Sequence, residues 1–213
     1  LYKTALTARE YDEHRNVTIM NYQKLLYTLS GQAIPDNYSA NYKLRSNFFS
    51  AFVTQETQYL LGNGVTLKDA SHKERLGPTF DNRLQDIGHD SIVAGVAYGF
   101  WNLDHLETFT ALEFVPLLDE ETGALRAGIR WWQVSSDKPL RATLFEVDGF
   151  TQYIRRKGKQ MEVLKPKRGY VAVVASSVVD GTEIMEYRNY PGFPVIPMYA
   201  NRAKQSEFVG MRE

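Results

Sequence analysis

The 213-residue chain contains no cysteine. That absence excludes a disulfide-stapled scaffold, a thiolate nucleophile and any cysteine-ligated metal site, and it fits a reducing compartment. There is no net charge either: 25 Lys and Arg balance 25 Asp and Glu. Neutrality argues against a protein that coats nucleic acid over its whole surface, though a local basic patch is still compatible with it. No apolar run approaches the 18 residues a membrane-crossing helix needs. The sequence also holds no Walker A phosphate loop, no G-x-G-x-x-G dinucleotide fingerprint, no H-E-x-x-H metal helix and no G-x-S-x-G nucleophile elbow. The chain begins with Leu1 and carries no signal-peptide pattern, which reads as a piece of something longer.

What is present is ordinary globular composition, 43% hydrophobic and 23% charged. At 24.4 kDa, a compact monomer would expose roughly 10,000 Å² of the roughly 35,000 Å² its unfolded chain offers. Aromatic residues are plentiful, with 13 Tyr, 11 Phe and 3 Trp. Such a complement exceeds the needs of a small core and points towards subunit interfaces. Trp131 and Trp132 are neighbours on an expected strand, so they face opposite sides of it.

The first hundred residues read as helical. Thr7-Ala-Arg-Glu10 has the form of a capping box, and Tyr22, Leu25, Leu26 and Leu29 recur at helical spacing up to Gly31. These define a helix over about 8–30. A second helix is expected over about 41–61, with Leu44, Phe48 and Phe52 on one stripe broadened by Phe49, Val53 and Leu60, and Gly62-Asn63-Gly64 as its stop. A third runs over about 80–97. Phe48, Phe52, Leu84 and Ile87 are the expected core residues of these helices.

From about residue 99 the pattern becomes strand-like. Phe109–Leu118, Leu125–Val134, Leu140–Val147, Gln152–Arg156, Gln160–Leu164, Val171–Val179 and Thr182–Tyr190 alternate with turns holding Asp119-Glu-Glu-Thr-Gly123, Asp148-Gly149, Lys157-Gly158, Arg168-Gly169 and Asp180-Gly181. Short strands with glycine in nearly every turn predict an antiparallel meander. Helices followed by strands predict the α+β class, as one unit over 1–213 with a helical part to about residue 98.

Two constellations carry potential chemistry. His89-Asp90 has the form of the central pair of a metal-dependent nucleotide or phosphoester enzyme, but that chemistry needs further histidines and a distal aspartate to complete the metal shell, and on a helix Asp90 reads more simply as a solvated charge. Arg155, Arg156, Lys157, Lys159, Lys165, Lys167 and Arg168 form a basic hairpin with Glu162 as its only acid. Such a hairpin can contact a polyanion or a neighbouring subunit. The plainer reading is a sheet edge defended by lysine and arginine against unwanted pairing. Glu183 and Glu186, three apart on a strand, point to opposite faces and cannot share a proton. No residue set nominates a catalytic centre, a bound metal or a cofactor.

Three stretches, in order, resemble the portal proteins of long-tailed bacteriophages and prophages. They are Asn41-Tyr-Lys-Leu-Arg-Ser-Asn-Phe-Phe49 continuing to Tyr59-Leu-Leu-Gly-Asn-Gly-Val65, then Asp90-Ser-Ile-Val-Ala-Gly-Val-Ala-Tyr98, then Asn189-Tyr-Pro-Gly-Phe-Pro-Val-Ile-Pro197 with Asn201 and Gln205-Ser-Glu-Phe208. Leu117-Leu-Asp-Glu-Glu-Thr-Gly123 followed by Ala127-Gly-Ile-Arg-Trp-Trp132 suits that family's central hairpin. The resemblance implies a non-enzymatic structural subunit, the wing region of a portal whose stem, clip and crown would follow Glu213. It implies a closed ring of identical chains, dodecameric in the full-length protein, at one capsid vertex of the virion and assembled in the bacterial host cytoplasm. Its partners would be the capsid, the terminase, head-tail adaptor proteins and the double-stranded DNA passing through, with no membrane and no cofactor.

Overall fold

The computed structural model describes the backbone of residues 2–179 and 182–211 and the side chains of residues 2–173 and 186–210. The architecture is α+β, in three layers. Helices α1 (Tyr2–Asp12), α2 (Val17–Asn21), α3 (Phe48–Leu61), α4 (Ala70–Arg75) and α5 (Phe80–Ala94) precede most of the strands. A small hairpin, β1 (Leu25–Tyr27) with β2 (Ala33–Pro35), interrupts them. After α5 come β3 (Val96–Asn102), β4 (His105–Thr110), β5 (Phe114–Leu118), β6 (Leu125–Trp132), β7 (Leu140–Glu146), β8 (Gly149–Arg155), β9 (Met161–Arg168), β10 (Val171–Val179), β11 (Thr182–Arg188) and β12 (Val195–Tyr199), with a short 3₁₀ turn at Glu207–Met211.

Of the meander expected from Phe109 to Tyr190, only β5-β6-β7-β8-β9 form one continuous antiparallel sheet. A second sheet, in order β12-β3-β4, lies between it and the helices, and β10 and β11 pair only with each other. Alternation along β3 sorts its side chains between the two layers. Val96, Tyr98 and Phe100 join Phe109, Phe114, Phe145, Tyr170 and Val195 in the main core. Gly99 faces the other way, where a Cβ would meet Ile87 of α5 and Leu106 at 3.1 and 3.2 Å. Gly128 exists for a similar reason, since the Phe114 ring from the neighbouring strand occupies the space a side chain would need. A second, smaller core joins α1, α3 and α5 through Ala8, Phe49, Val53, Ile92, Val93 and Phe208.

Several expectations are corrected. Thr7 lies within α1, where its hydroxyl donates to Lys3 O at 3.1 Å, so Thr7-Ala-Arg-Glu10 is not a cap. The helix expected over 8–30 ends at Asp12, because His14 and Asn16 take positive φ (58° and 42°). Leu25 and Leu26 are in a strand, and Gly31 (φ 80°) serves a hairpin turn instead of a helix stop. The second helix starts at Phe48 and not near 41, and its buried face is displaced by one residue. Phe49 and Val53 are 6% and 1% exposed, whereas Phe48 and Phe52, expected in the core, are 68% and 51% exposed. A shift of one residue turns a helix by about 100°. Ile87 is buried as expected, while Leu84 is half-buried.

The third helix stops at Ala94, three residues early, at Gly95 (φ 91°), whose N–H closes on Ser91 O at 2.7 Å. A Cβ there would also press on Ser206 N at 2.7 Å, so glycine is required twice over. The single strand expected over 109–118 is two, β4 and β5, in different sheets. The proline-rich stretch after Asn189 supplies β12. The Asp180-Gly181 turn and the side chain of Glu183 lie outside the described residues.

Candidate functional site

His89 sits on α5 facing α1. Its Nε2 lies 3.5 Å from Asp12 Oδ1 and its Nδ1 4.0 Å from Asp90 Oδ1. Asp12 was invisible as a partner in the sequence, 77 residues away. The neighbouring carboxylates, Asp12 and then Asp90, outweigh the cost of burial and raise the His89 pKa to about 9. Burial pushes the Asp12 carboxyl up, but the proximity of the His89 imidazolium outweighs it and holds the group below its ordinary value. At neutral pH the imidazole is therefore protonated and faces Asp12 as an ion pair. Among the described residues no group of three or more His, Asp or Glu is spaced to hold an ion. The geometry makes His89 a charged clamp between α1 and α5.

The basic hairpin separates into three parts. β9 is the outer strand of its sheet, and Met161 to Arg168 runs roughly 23 Å along it. Arg155, Arg156, Lys157 and Lys159 gather at the β8–β9 tip, with Lys138 from the preceding turn, around a shallow hollow of about 360 Å³. Arg156 is paired with Glu162 at 3.2 Å. Lys165 stands mid-strand beside Pro166, a combination that blunts a sheet edge. At the far end Lys167 bridges Glu146 at 3.0 Å and Asp148 at 2.5 Å, and these two hydrogen bonds raise its pKa. Arg168 lies over the Phe150 ring at 4.9 Å. So the structure brings together four of the seven cations named from the sequence and directs the rest elsewhere.

A cleft of about 490 Å³ opens between the two main sheets. Arg130 crosses it, 4.3 Å from the centre of the Phe109 ring and 5.1 Å from that of Trp132, and pairs with Glu107 at 3.3 Å and Glu113 at 3.7 Å. Asn102 donates to the other oxygen of Glu107 at 2.7 Å. Behind it, the Tyr170 hydroxyl donates to Glu146 O (2.6 Å) and approaches Gly149 O (3.0 Å), and burial raises its pKa. These polar groups mostly satisfy one another. The cleft is a braced seam between sheets.

The feature that stands apart is the segment from Tyr22 to Ser46, called the arm below. Leu25, Leu26, Tyr27, Leu29, Ile34, Tyr38, Tyr42 and Leu44 are all exposed on it. Polar pins give it a defined path: Lys24 Nζ donates to Ala40 O (2.9 Å), Asn41 to Tyr22 O (3.2 Å), Lys43 to Met20 O, Arg45 to His14 O (3.3 Å) and Asn16 to Ser46 O (3.4 Å). Phe48, Phe52, Tyr59 and Leu60 continue the uncovered apolar surface along α3. A two-stranded hairpin by itself is marginal in water, and monomers rarely leave apolar patches of more than a few hundred Å² uncovered. Compared with known protein-family models and with curated proteins, the chain matches none.

Proposed function

We propose that this chain is the wing region of a phage portal subunit: a structural, non-catalytic component of a ring at a capsid vertex, through which double-stranded DNA is packaged and ejected. The observation that carries this reading is the extent of surface the chain leaves unburied. Its accessible area is 14,999 Å², against roughly 10,000 Å² for a compact monomer of this mass. Part of that surface is apolar: on the arm and the outward face of α3, Tyr27, Leu29, Tyr38, Tyr42, Leu44 and Phe48 are among the large side chains that face solvent. A subunit built to be surrounded by its own copies has this property, and a self-contained enzyme does not need it. Self-association would make the ring; capsid, terminase, head-tail adaptor and passing DNA would be its other partners, and the virion vertex its location.

The resemblance of three ordered stretches to portal sequences supports the same reading. In the structure they fall on the end of the arm with α3, on α5 running into β3, and on β12 with the 3₁₀ turn. The last two pack together: Ala200 N–H donates to Gly95 O at 3.2 Å, and the Ser206 hydroxyl to Val93 O at 2.5 Å. These residues are thus joined into one structural unit around the glycine stop of α5. Electron microscopy of the protein expressed from its complete gene tests the proposal. Closed rings of uniform copy number with an axial channel are expected. Monomers or two-fold dimers at every concentration would overturn it.

A further inference from the structure

The five-stranded sheet has two faces of unequal fate. Arg130, Trp132, Thr143, Phe145, Phe150 and Gln152 line the cleft on its inner face. By alternation the residues between them point outward. The register aligns these outward residues into two rows across the sheet, Val115–Ile129–Leu144–Thr151 and Trp131–Ala142–Tyr153–Val163. Seven of those eight positions are aliphatic or aromatic; Val115, Trp131 and Val163 are exposed, as is Leu117 beyond the first row, Ile129, Leu144 and Tyr153 are half-buried, and Ala142 and Thr151, on the central strands, are buried. A sheet that faces water on one side normally alternates apolar inside with polar outside. This one is apolar on both sides.

Resting on the ring reading above, we propose that the outer face of the β5–β9 sheet receives the arm of a neighbouring copy of this chain. Three observations on the same molecule select that occupant. First, a closed ring needs a head-to-tail contact between two different surfaces, and the chain carries two uncovered apolar surfaces, the arm and this face. Second, their charges are complementary at one end of the face. The arm holds Lys24, Lys43 and Arg45 against Asp36 alone, and the β5–β6 loop holds Asp119, Glu120 and Glu121, with Arg126 nearby; the opposite end carries the basic β8–β9 tip, so charge directs the arm to the acidic end. Third, the sizes fit. A stable interface buries about 1,200–2,000 Å² in total, or about 800 Å² per partner, so a subunit with two neighbours gives up about 1,600 Å². The excess of about 5,000 Å² over a compact monomer accommodates that. In this contact β1 and β2 stack face to face on the sheet, with Leu25 and Tyr27, or Leu26 and Ile34, meeting the Val115 and Trp131 rows. Lys24 approaches Glu120 and Glu121.

The absence of native cysteine makes the contact directly readable. One batch of chain carries Leu25→Cys and a second carries Leu117→Cys; both positions are exposed, so neither substitution opens a core. The batches are mixed at high concentration and treated with a short bismaleimide, with sedimentation velocity run in parallel. A crosslinked dimer is expected in the mixture and in neither batch alone, and the double variant is expected to give a ladder of dimers, trimers and larger species. Charge reversal by Glu120→Lys with Glu121→Lys is expected to reduce crosslinking several-fold, with recovery when Lys24→Glu is placed on the arm. Equal crosslinking within a single batch would mean a two-fold contact and overturn the proposal. Concentration-dependent association without crosslinking would place the interface elsewhere, overturning this inference while leaving the ring reading intact. No association at any concentration would overturn both for this chain. An uncovered face that is instead filled by other segments of the complete gene product would show as loss of Leu117→Cys labelling in that longer protein without any mixed crosslink.

Discussion

Between the two main sheets, Tyr98, Phe100, Phe109, Phe114, Phe145 and Tyr170 stack with centroids 4.5–6.5 Å apart and are all at least nine-tenths buried. On the arm, Tyr22, Tyr27, Tyr38 and Tyr42 stand in solvent beside exposed leucines. The residue types are alike and the surroundings are not. The inter-sheet aromatics have a second layer within the same chain; the arm has polar pins that fix its path and no layer to face. Local hydrogen bonding can thus shape a segment that hydrophobic burial within the chain does not stabilise. The energy of such a segment is recovered only when something else covers it.

That contrast can be broken most sharply at Phe109, which is fully buried. Phe109→Ala removes a ring that touches Phe100, Phe114, Phe145 and the Arg130 guanidinium. A loss of about 3–5 kcal/mol is expected, read by urea denaturation, and at this chain length about 2–4 °C of melting temperature per kcal/mol. Tyr170→Phe keeps the ring and deletes the hydroxyl that ties the β7–β8 turn, leaving Glu146 O and Gly149 O short of a donor. About 1–3 kcal/mol is expected from that change.

His89 tests the seam between α1 and α5 and carries a pH signature. Its pKa is raised from 6.5 to about 9, so the folded state holds the proton more tightly than the unfolded one. The resulting stability is complete below about pH 6.5, shrinks between there and about pH 9, and is gone above. Asp12, with a lowered pKa, contributes in the opposite sense: its share is present above its ordinary value of 3.8 and is lost as the pH falls through the lowered one. His89→Ala is expected to cost about 1–3 kcal/mol at pH 6 and far less at pH 9.5, so denaturation curves at the two pH values should converge with wild type only at the alkaline end. An equal cost at both would mean that packing, not charge, is what the residue supplies.

On the other side of the comparison, Phe48→Ser with Phe52→Ser is expected to change the monomer's stability by no more than about 1 kcal/mol, because both rings are at least half exposed. Phe49→Ser, one position along the same helix, should cost several times that amount. The smallest effect is expected at the β8–β9 tip. As an edge-protecting feature it should bind duplex DNA negligibly at physiological salt, and Arg155→Ala with Arg156→Ala should change nothing in a mobility-shift assay. Sub-micromolar binding with a salt slope of roughly −0.9 per phosphate, abolished by those substitutions, would make the tip a DNA contact.

The meander was legible because each of its strands is short, alternates, and ends at a turn whose residues allow no alternative; Asp119 even accepts the Glu121 and Thr122 N–H groups as such a turn requires. The stretch 22–30 was misread because periodicity assumes that apolar residues face the chain's own core. Leu25, Leu26 and Leu29 do not, so their spacing carried no information about local structure. The one-residue error on α3 has the same origin. Phe48 and Phe52 outweigh Phe49 and Val53 in bulk, yet the latter pair meets Phe208, 159 positions after Phe49. The Asp12–His89 pair and the Arg130–Glu107 brace lie 77 and 23 residues apart, distances at which a single sequence offers no pairing signal.

The central claim is that the arm and the outward face of α3 are surfaces for association and not for folding. Sedimentation velocity of wild-type chain and of a Leu29→Ser, Phe48→Ser, Phe52→Ser variant, over a hundred-fold range of concentration, tests it most directly. The wild type should move from monomer to larger species as concentration rises, while the variant stays monomeric with an unchanged circular dichroism spectrum and melting temperature. A variant that associates like wild type, or one that unfolds, would contradict the account.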